Sequence, residues 1–200
     1  MFRQLLLGVL AMTGALHAET KVLAFAGSTR ADSYNKKLLA MAAQIAKDMG
    51  AQVTVIDLND YQMPFYDADC EKAQGMPEAA KRLIALMKAS NAMIIASPEY
   101  NASIPAVLKN AIDWASRSED GKSSREAFKG KKFALMGAAP GKSGAGRGLV
   151  HLRTIISDIG GDVVSKQVTV PRAHEIFDNA QADTTQLKIE LKEEMQELLK

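Results

Sequence analysis

Cysteine is almost missing from this 200-residue chain. Cys70 stands alone, which excludes an intrachain disulfide framework and a thiolate metal site. Histidine is nearly as scarce: His17, His151 and His174 lie far apart, so a first-row metal has few ligands to draw on and none is expected. Charge of one sign is lacking too. The formal balance is +2, with Lys and Arg spread along the chain, which excludes the concentrated basic footprint of a nucleic-acid binder. The apolar run from Leu5 to Ala15 is too short for a stable membrane span. What is present is a globular composition, 47% hydrophobic and 24% charged, in a length that suits one domain rather than two.

Residues 1–18 stand apart. Arg3, the apolar run and the small residues before Glu19 have the pattern of a secretory signal peptide. Cleavage after Ala18 puts Leu16 at the third position back, whereas cleavage after Ala15 puts Thr13 there. No twin arginine is present, so export of a prefolded, cofactor-loaded chain is not indicated. The expectation is a signal peptide over 1–18, an exported or periplasmic protein, and a single domain over 19–200. A start at Met12 would instead leave a short N-terminal tail on a cytoplasmic chain.

From Lys21 onward, short apolar runs alternate with segments of helical period. Strands are expected at 21–27, 51–58, 91–97 and 131–138, with a fifth somewhere in 161–170. Between them, Leu38, Leu39, Ala42, Ile45 and Met49 share one helical face, as do Ala80, Leu83, Ile84 and Met87. A third helix opens near Pro105, a fourth carries Leu149, Leu152, Ile156 and Ile159, and the last covers roughly 183–199 with Asp183 and Gln186 as its capping box. Nearly continuous apolar strands separated by helices imply a parallel sheet covered on both faces. Five β-α units at this length fit an α/β, flavodoxin-like three-layer sandwich of strand order 2-1-3-4-5. The loops after strands 1, 3 and 4 then share one rim.

The first of these loops, "AGSTRADSYNKK" (26–37), gathers Ser28, Thr29, Ser33, Asn35 and Arg30 at the start of a helix, which suits a phosphate dianion. The competing reading is a turn whose serine only caps the helix. The turn has only Gly27, so neither a P-loop nor the G-x-G-x-x-G fingerprint is present there. "GAAPGKSG" (137–144) contains Gly-Lys-Ser, but Gly137 is one position too close to Gly141 for P-loop spacing. Its glycines 141, 144, 146 and 148 would let backbone approach a flat ligand. Between the two loops in sequence lies "SPEYNASIPAVLKNAIDW" (97–114), which clusters Glu99, Tyr100 and Asn101 where a buried strand gives way to a helix. No Ser-His-Asp or Cys-His nucleophile is evident, which assigns the chemistry to a cofactor.

These residues resemble the NADPH-dependent FMN reductase family, which includes bacterial chromate, quinone and azo-dye reductases. The likeness covers about residues 21–172, through "GSTRADSYN", "MPFYDAD" (63–69), the Pro-Glu-Tyr-Asn stretch running into "LKNAIDW", and the glycine-rich loop. It implies a flavodoxin-like fold with non-covalent FMN and NAD(P)H as co-substrate. By the resemblance the phosphate-loop positions fall on Ser28, Arg30, Ser33 and Asn35, and Pro98, Glu99, Tyr100 and Asn101 lie beside the isoalloxazine. The family's third loop commonly carries a serine that meets the flavin; Ala139 stands here, leaving Gly141 and Ser143 as candidates. Hydride is expected to pass from NAD(P)H to FMN and electrons onward to a quinone, flavin, azo compound or metal oxyanion, with no catalytic side chain. Backbone N–H groups near 99–101 are expected to stabilise the negative charge of reduction. The resemblance also implies a homodimer or homotetramer with the helix after Pro-Glu-Tyr-Asn at the interface; Trp114 and Ile112 are candidate contact residues, although core packing explains Ile112 equally well. The rivals are a flavodoxin-like electron carrier, against which the near-neutral charge weighs, and a non-catalytic flavin-binding protein.

Overall fold

The apolar runs become strands and the periodic segments become helices. The computed structural model of the protein describes residues 19–200, so the signal-peptide expectation lies outside the described residues. Strand β1 (Lys21–Ala26) is followed by α1 (Tyr34–Asp48), β2 (Gln52–Asp57), α2 (Ala68–Gln74), α3 (Glu78–Ala89), β3 (Ala92–Ala96) and α4 (Ala106–Ala115). Then come β4 (Lys132–Ala138), α5 (Gly146–Asp158), β5 (Asp162–Val163), β6 (Val168–Val170), α6 (Ala173–Phe177) and α7 (Thr185–Leu198). All pairings are parallel, in the order β2-β1-β3-β4-β5 with β6 also beside β4. The expected doubly wound order is therefore present.

Strand alternation sorts the core into two layers. Val22, Ala24, Ile94, Ala134 and Met136 face α1 and α7, where Leu38, Ala42, Leu191 and Met195 cover them. Leu23, Phe25, Met93, Ile95, Phe133 and Leu135 face α3, α4 and α5, against Leu83, Leu108, Ile112, Leu152 and Ile156. Full burial of each large side chain stabilises by about 1.5–3 kcal/mol, so the sheet sandwich is the dominant stabilising feature.

The fifth strand is broken. Val164 still donates to Phe133 O at 3.0 Å, and then the polar run Ser165-Lys166-Gln167 leaves the ladder before β6 rejoins at Met136–Ala138. Side chains satisfy the freed backbone. Glu197 accepts from the N–H groups of Ser165 (2.8 Å) and Lys166 (3.1 Å), while Arg153 donates to the carbonyls of Val163, Val164 and Ser165. The capping box expected for α7 does not form. Asp183 accepts from Thr185 N–H, two residues on, and Gln186 reaches forward to Glu190, because Asp183 lies one residue before the N-cap Thr184.

Two motifs of the sequence are tied together by α4. Asn110 accepts from Tyr66 N–H at 2.8 Å and donates to Pro64 O at 3.0 Å, and Trp114 donates its indole N–H to Pro64 O at 2.9 Å. Trp114 is 0% exposed and Ile112 is buried. This corrects the expectation that Trp114 lines a subunit contact and bears out core packing as the explanation of Ile112, since neither offers surface to a partner. The outward side of α4 carries Ala106, Lys109 and Asp113, the last two ion-paired at 2.6 Å. Among the described residues no helix is long and apolar enough to cross a membrane.

Candidate functional site

Strand register fixes where the loops emerge. Ala26 pairs with Ala96, and Ala96 with Met136, so the chain leaves the sheet side by side at Gly27, Ser97 and Gly137. Gly27 N–H bonds Ala96 O and Ser97 N–H bonds Met136 O, each at 2.8 Å, carrying the ladder to the rim. The loops after β1, β3 and β4 thus meet at the carboxyl ends of the central strands, where doubly wound sheets place their ligands.

In the first loop, Ser28 and Ser33 are buried and Arg30 is exposed. Ser33 is the N-cap of α1 by backbone geometry, yet its side chain makes no capping hydrogen bond. The amides of Tyr34, Asn35 and Lys36 have no protein acceptor among the described residues; the first intrahelical bond is Lys37 N–H to Ser33 O. The simple capping alternative therefore does not describe this turn. Lys36 pairs with Asp57, and Lys37 with Asp32 and Asp178, whereas Arg30 takes part in no ion pair among the described residues. Ser28 Oγ accepts from Arg30 N–H at 3.3 Å, which leaves its own proton to donate. Unsatisfied helix N–H groups, serine hydroxyls able to donate and an unpaired guanidinium form a ready anion site. Asn35 behaves differently. Its amide donates to Ala138 O and accepts from Ala138 N–H, both at 2.9 Å, bracing the first loop against the end of β4.

The second loop contains a strained turn. Tyr100 and Ser103 exchange N–H···O bonds of 2.9 and 3.0 Å, with Asn101 at φ 51° and Ala102 at φ 62° between them. Positive φ at both central positions makes this a type I′ turn. Asparagine suits the first position, whereas alanine at the second costs about 1–2 kcal/mol. Tyr100 is 51% exposed, and the N–H groups of Asn101 and Ala102 donate to no protein acceptor among the described residues. Pro98 is buried.

Glu99 points the other way, onto the first turn of α5. Its carboxylate accepts from the backbone N–H groups of Arg147 (3.0 Å) and Gly148 (3.2 Å) and from the Arg147 guanidinium at 2.9 and 2.6 Å. Burial pushes this carboxyl up, but those hydrogen bonds outweigh it and hold it below the ordinary glutamate range.

The third loop is zipped to the segment after β6: Ala139 N–H bonds Val170 O, Arg172 N–H bonds Gly141 O, and Ala173 N–H bonds Ala139 O. Its glycines do not all serve the purpose expected of them. Gly144 (φ +57°) lies where a Cβ would stand 2.7 Å from Pro171 N, and a Cβ on Gly148 would stand 3.1 Å from Ser103 O. These two permit backbone packing within the protein, while Gly141 faces open space. Ser143 is exposed, with Oγ 3.5 Å from Glu99. Beside the first loop, a cleft of about 320 Å³ is walled by Thr29, Tyr61, Met63, Phe65, Val107 and Asn110.

Two residues that the sequence reading passed over join this rim. Arg147 holds Glu99, and His151, one helical turn further along α5, places Nδ1 3.0 Å from Ser103 Oγ. Their four-residue spacing put them on one side of a helix, but nothing in the sequence said which loop that side would meet.

Comparison with known proteins agrees with this geometry. Residues 20–175 match the sequence profile of the NADPH-dependent FMN reductase family. The chain is 35% identical over 161 residues to an NAD(P)H-dependent FMN reductase of Pseudomonas aeruginosa, covering 80% of this chain and 82% of that one. It is 31% identical over 149 residues to a quinone reductase of Escherichia coli (73% and 74% covered). Among solved structures, the flavoenzyme NAD(P)H:(acceptor) oxidoreductase of Paracoccus denitrificans superposes with a TM-score of 0.72 at 26% identity, over 90% of this chain and 97% of that one. With the profile matching most of the chain and a relative this similar along most of its length, the chain belongs to the NADPH-dependent FMN reductase family.

Proposed function

We propose that this protein is an FMN-dependent NAD(P)H oxidoreductase whose acceptor is a quinone or a similar small electron acceptor. The observation that carries the reading is the open N-terminus of α1, where Ser33 leaves the helix amides uncapped and Arg30 is unpaired, next to a strained turn with two free N–H groups. These residues fit FMN: a phosphate matches the first loop, and a planar ring whose edge becomes negative on reduction matches the second. When bound, FMN supplies the hydride and electron chemistry that no side chain here carries.

The chain's own contribution is holding and tuning. Ser28, Ser33, Arg30 and the α1 amides hold the phosphate, with the helix dipole favouring its charge. Asn35 acts at one remove, fixing that loop to β4 through Ala138. The N–H groups of Asn101 and Ala102 stabilise negative charge on the ring edge, and because they are fixed in advance they need no reorganisation when that charge develops. Pro98 and Tyr100 would border the ring, as would Gly141 and Ser143 from the third loop, whereas the Glu99 side chain holds the second loop to α5.

The test is an absorption spectrum of the purified protein followed by stopped-flow mixing with NADPH. A flavin spectrum that bleaches promptly, and is restored by a quinone, is the expected result. Flavin that bleaches only with a partner enzyme would identify an electron carrier, and a preparation that never takes up FMN would sink the reading altogether.

A homo-oligomer and export are further parts of the proposal. Analytical ultracentrifugation tests the first, with a monomer at micromolar concentration counting against it. Export rests on residues 1–18 alone, and N-terminal sequencing of protein from fractionated source cells tests it; an intact Met1 or Met12 in the cytoplasmic fraction would refute it. Export would separate the enzyme from the cytoplasmic NAD(P)H supply, so an exported form needs another donor.

A further inference from the structure

His151 is used neither by the core nor by the groups assigned to the cofactor. It is exposed on α5, and its one polar contact among the described residues is Ser103 Oγ, at 3.0 Å from Nδ1. Ser103 is the closing residue of the type I′ turn, bonded to Tyr100 through both its N–H and its C=O. Inside that turn Ala102 is held at φ 62° with no polar side chain to support it. A non-glycine residue stays in this region only where its surroundings hold it there.

Those surroundings are the first two turns of α5. Before the turn, Glu99 is fixed to the N–H groups of Arg147 and Gly148. After it, Ser103 meets His151, and its carbonyl lies so near the helix that a Cβ at position 148 would stand 3.1 Å from it, a close contact that glycine avoids. We infer that His151 is a positioning residue for the flavin-ring site, holding the Tyr100–Ser103 turn in its left-handed form through Ser103 so that the Asn101 and Ala102 N–H groups face the ring. The inference rests on the FMN reading above. Without this contact, Ala102 is free to relax towards negative φ, which rotates the adjoining peptide and removes the donors from the ring edge while the phosphate turn stays intact.

The experiment measures FMN affinity of the apoprotein, midpoint potential of the bound FMN, and thermal midpoint, across a small set of variants. His151→Ala and Ser103→Ala are each expected to weaken FMN binding about tenfold, which is the loss of one well-placed hydrogen bond. The double variant should be no weaker than either single variant, since both remove the same link. The midpoint potential should move negative, because the lost donors favour the reduced flavin.

Two rescues separate positioning from folding. His151→Asn, which sets an amide near the place of Nδ1, should retain most of the affinity. Ala102→Gly in the His151→Ala background should restore it, since Asn-Gly adopts the type I′ turn without outside support. The apoprotein melting temperature should stay within roughly 2 °C throughout. Wild-type affinity and potential in His151→Ala would overturn the inference, and so would a loss that neither rescue repairs and that follows a fall in melting temperature. A wild-type chain that takes up no FMN would overturn the function reading and this inference with it.

Discussion

Glu99 and Arg147 meet across 48 residues of chain, with a carboxylate only 6% exposed accepting from a guanidinium that is 67% exposed. Solvent screens the charge attraction on the arginine side, so the two backbone N–H groups at the start of α5 account for most of the contact's value. The pair ties the second loop of the rim to the first turn of α5.

Glu99→Gln should therefore destabilise the fold by about 1–2 kcal/mol at pH 7, since it removes a buried charged acceptor from two backbone donors. The sign of the pH dependence follows from the lowered carboxyl of Glu99. A group depressed on folding stabilises above its unfolded pKa, and that stability is lost as pH falls through the folded value. Urea melts should then show a wild-type advantage over Glu99→Gln that is full above about pH 5 and shrinks as the solution is acidified below the ordinary glutamate range. A difference independent of pH would show that the carboxylate's charge plays no part.

Ser33 separates a structural turn from a ligand site more sharply than any other residue. As it makes no capping bond, Ser33→Ala should leave apoprotein stability unchanged, where loss of a true cap costs about 1 kcal/mol. FMN affinity should fall about tenfold in the same variant if the hydroxyl donates to the phosphate. Arg30→Ala should weaken FMN as well, with a smaller salt dependence than wild type, because one cation has been removed from the binding equilibrium. Loss of apoprotein stability in Ser33→Ala with FMN affinity intact would return the turn to a purely structural role.

The fold was legible because burial on both faces of the sheet writes itself into continuous apolar runs such as Val22–Ala26, and helical period into α1 and α5. Helices α2 and α6 were not, since segments of seven and five residues are too short to display a period. The site was legible as loops and not as contacts. Asn35 was placed in the phosphate turn from its neighbours in sequence, but its amide pairs with the backbone of Ala138, 103 residues away, where any residue type presents the same N–H and C=O. Glu99, Arg147 and His151 illustrate the same limit. Their partners depend on how α5 crosses the rim, which is set by packing at Gly148 and by no local signal.

Glu194, on the buried side of α7, carries the clearest prediction for pH. It is 0% exposed, and neither carboxyl oxygen has a hydrogen-bond partner. The backbone N–H groups of Leu135 in β4 and Val168 in β6 lie near enough to favour its ionised form, but neither completes a hydrogen bond to it and they do not offset the burial, which pushes the carboxyl up to about 9. The native state therefore keeps this proton while the unfolded chain releases it near pH 4.5. Between those values the native state binds more protons than the unfolded one, so stability falls as pH rises, by about 1.4 kcal/mol per pH unit from this group alone. Glu194→Gln removes the penalty. Its advantage over wild type should be near zero at pH 4, grow to at most about 3.5 kcal/mol at pH 7, and level off above pH 9. Chemical denaturation of both proteins across that range reads the slope directly, and a constant offset would show that Glu194 is ionised in the folded protein.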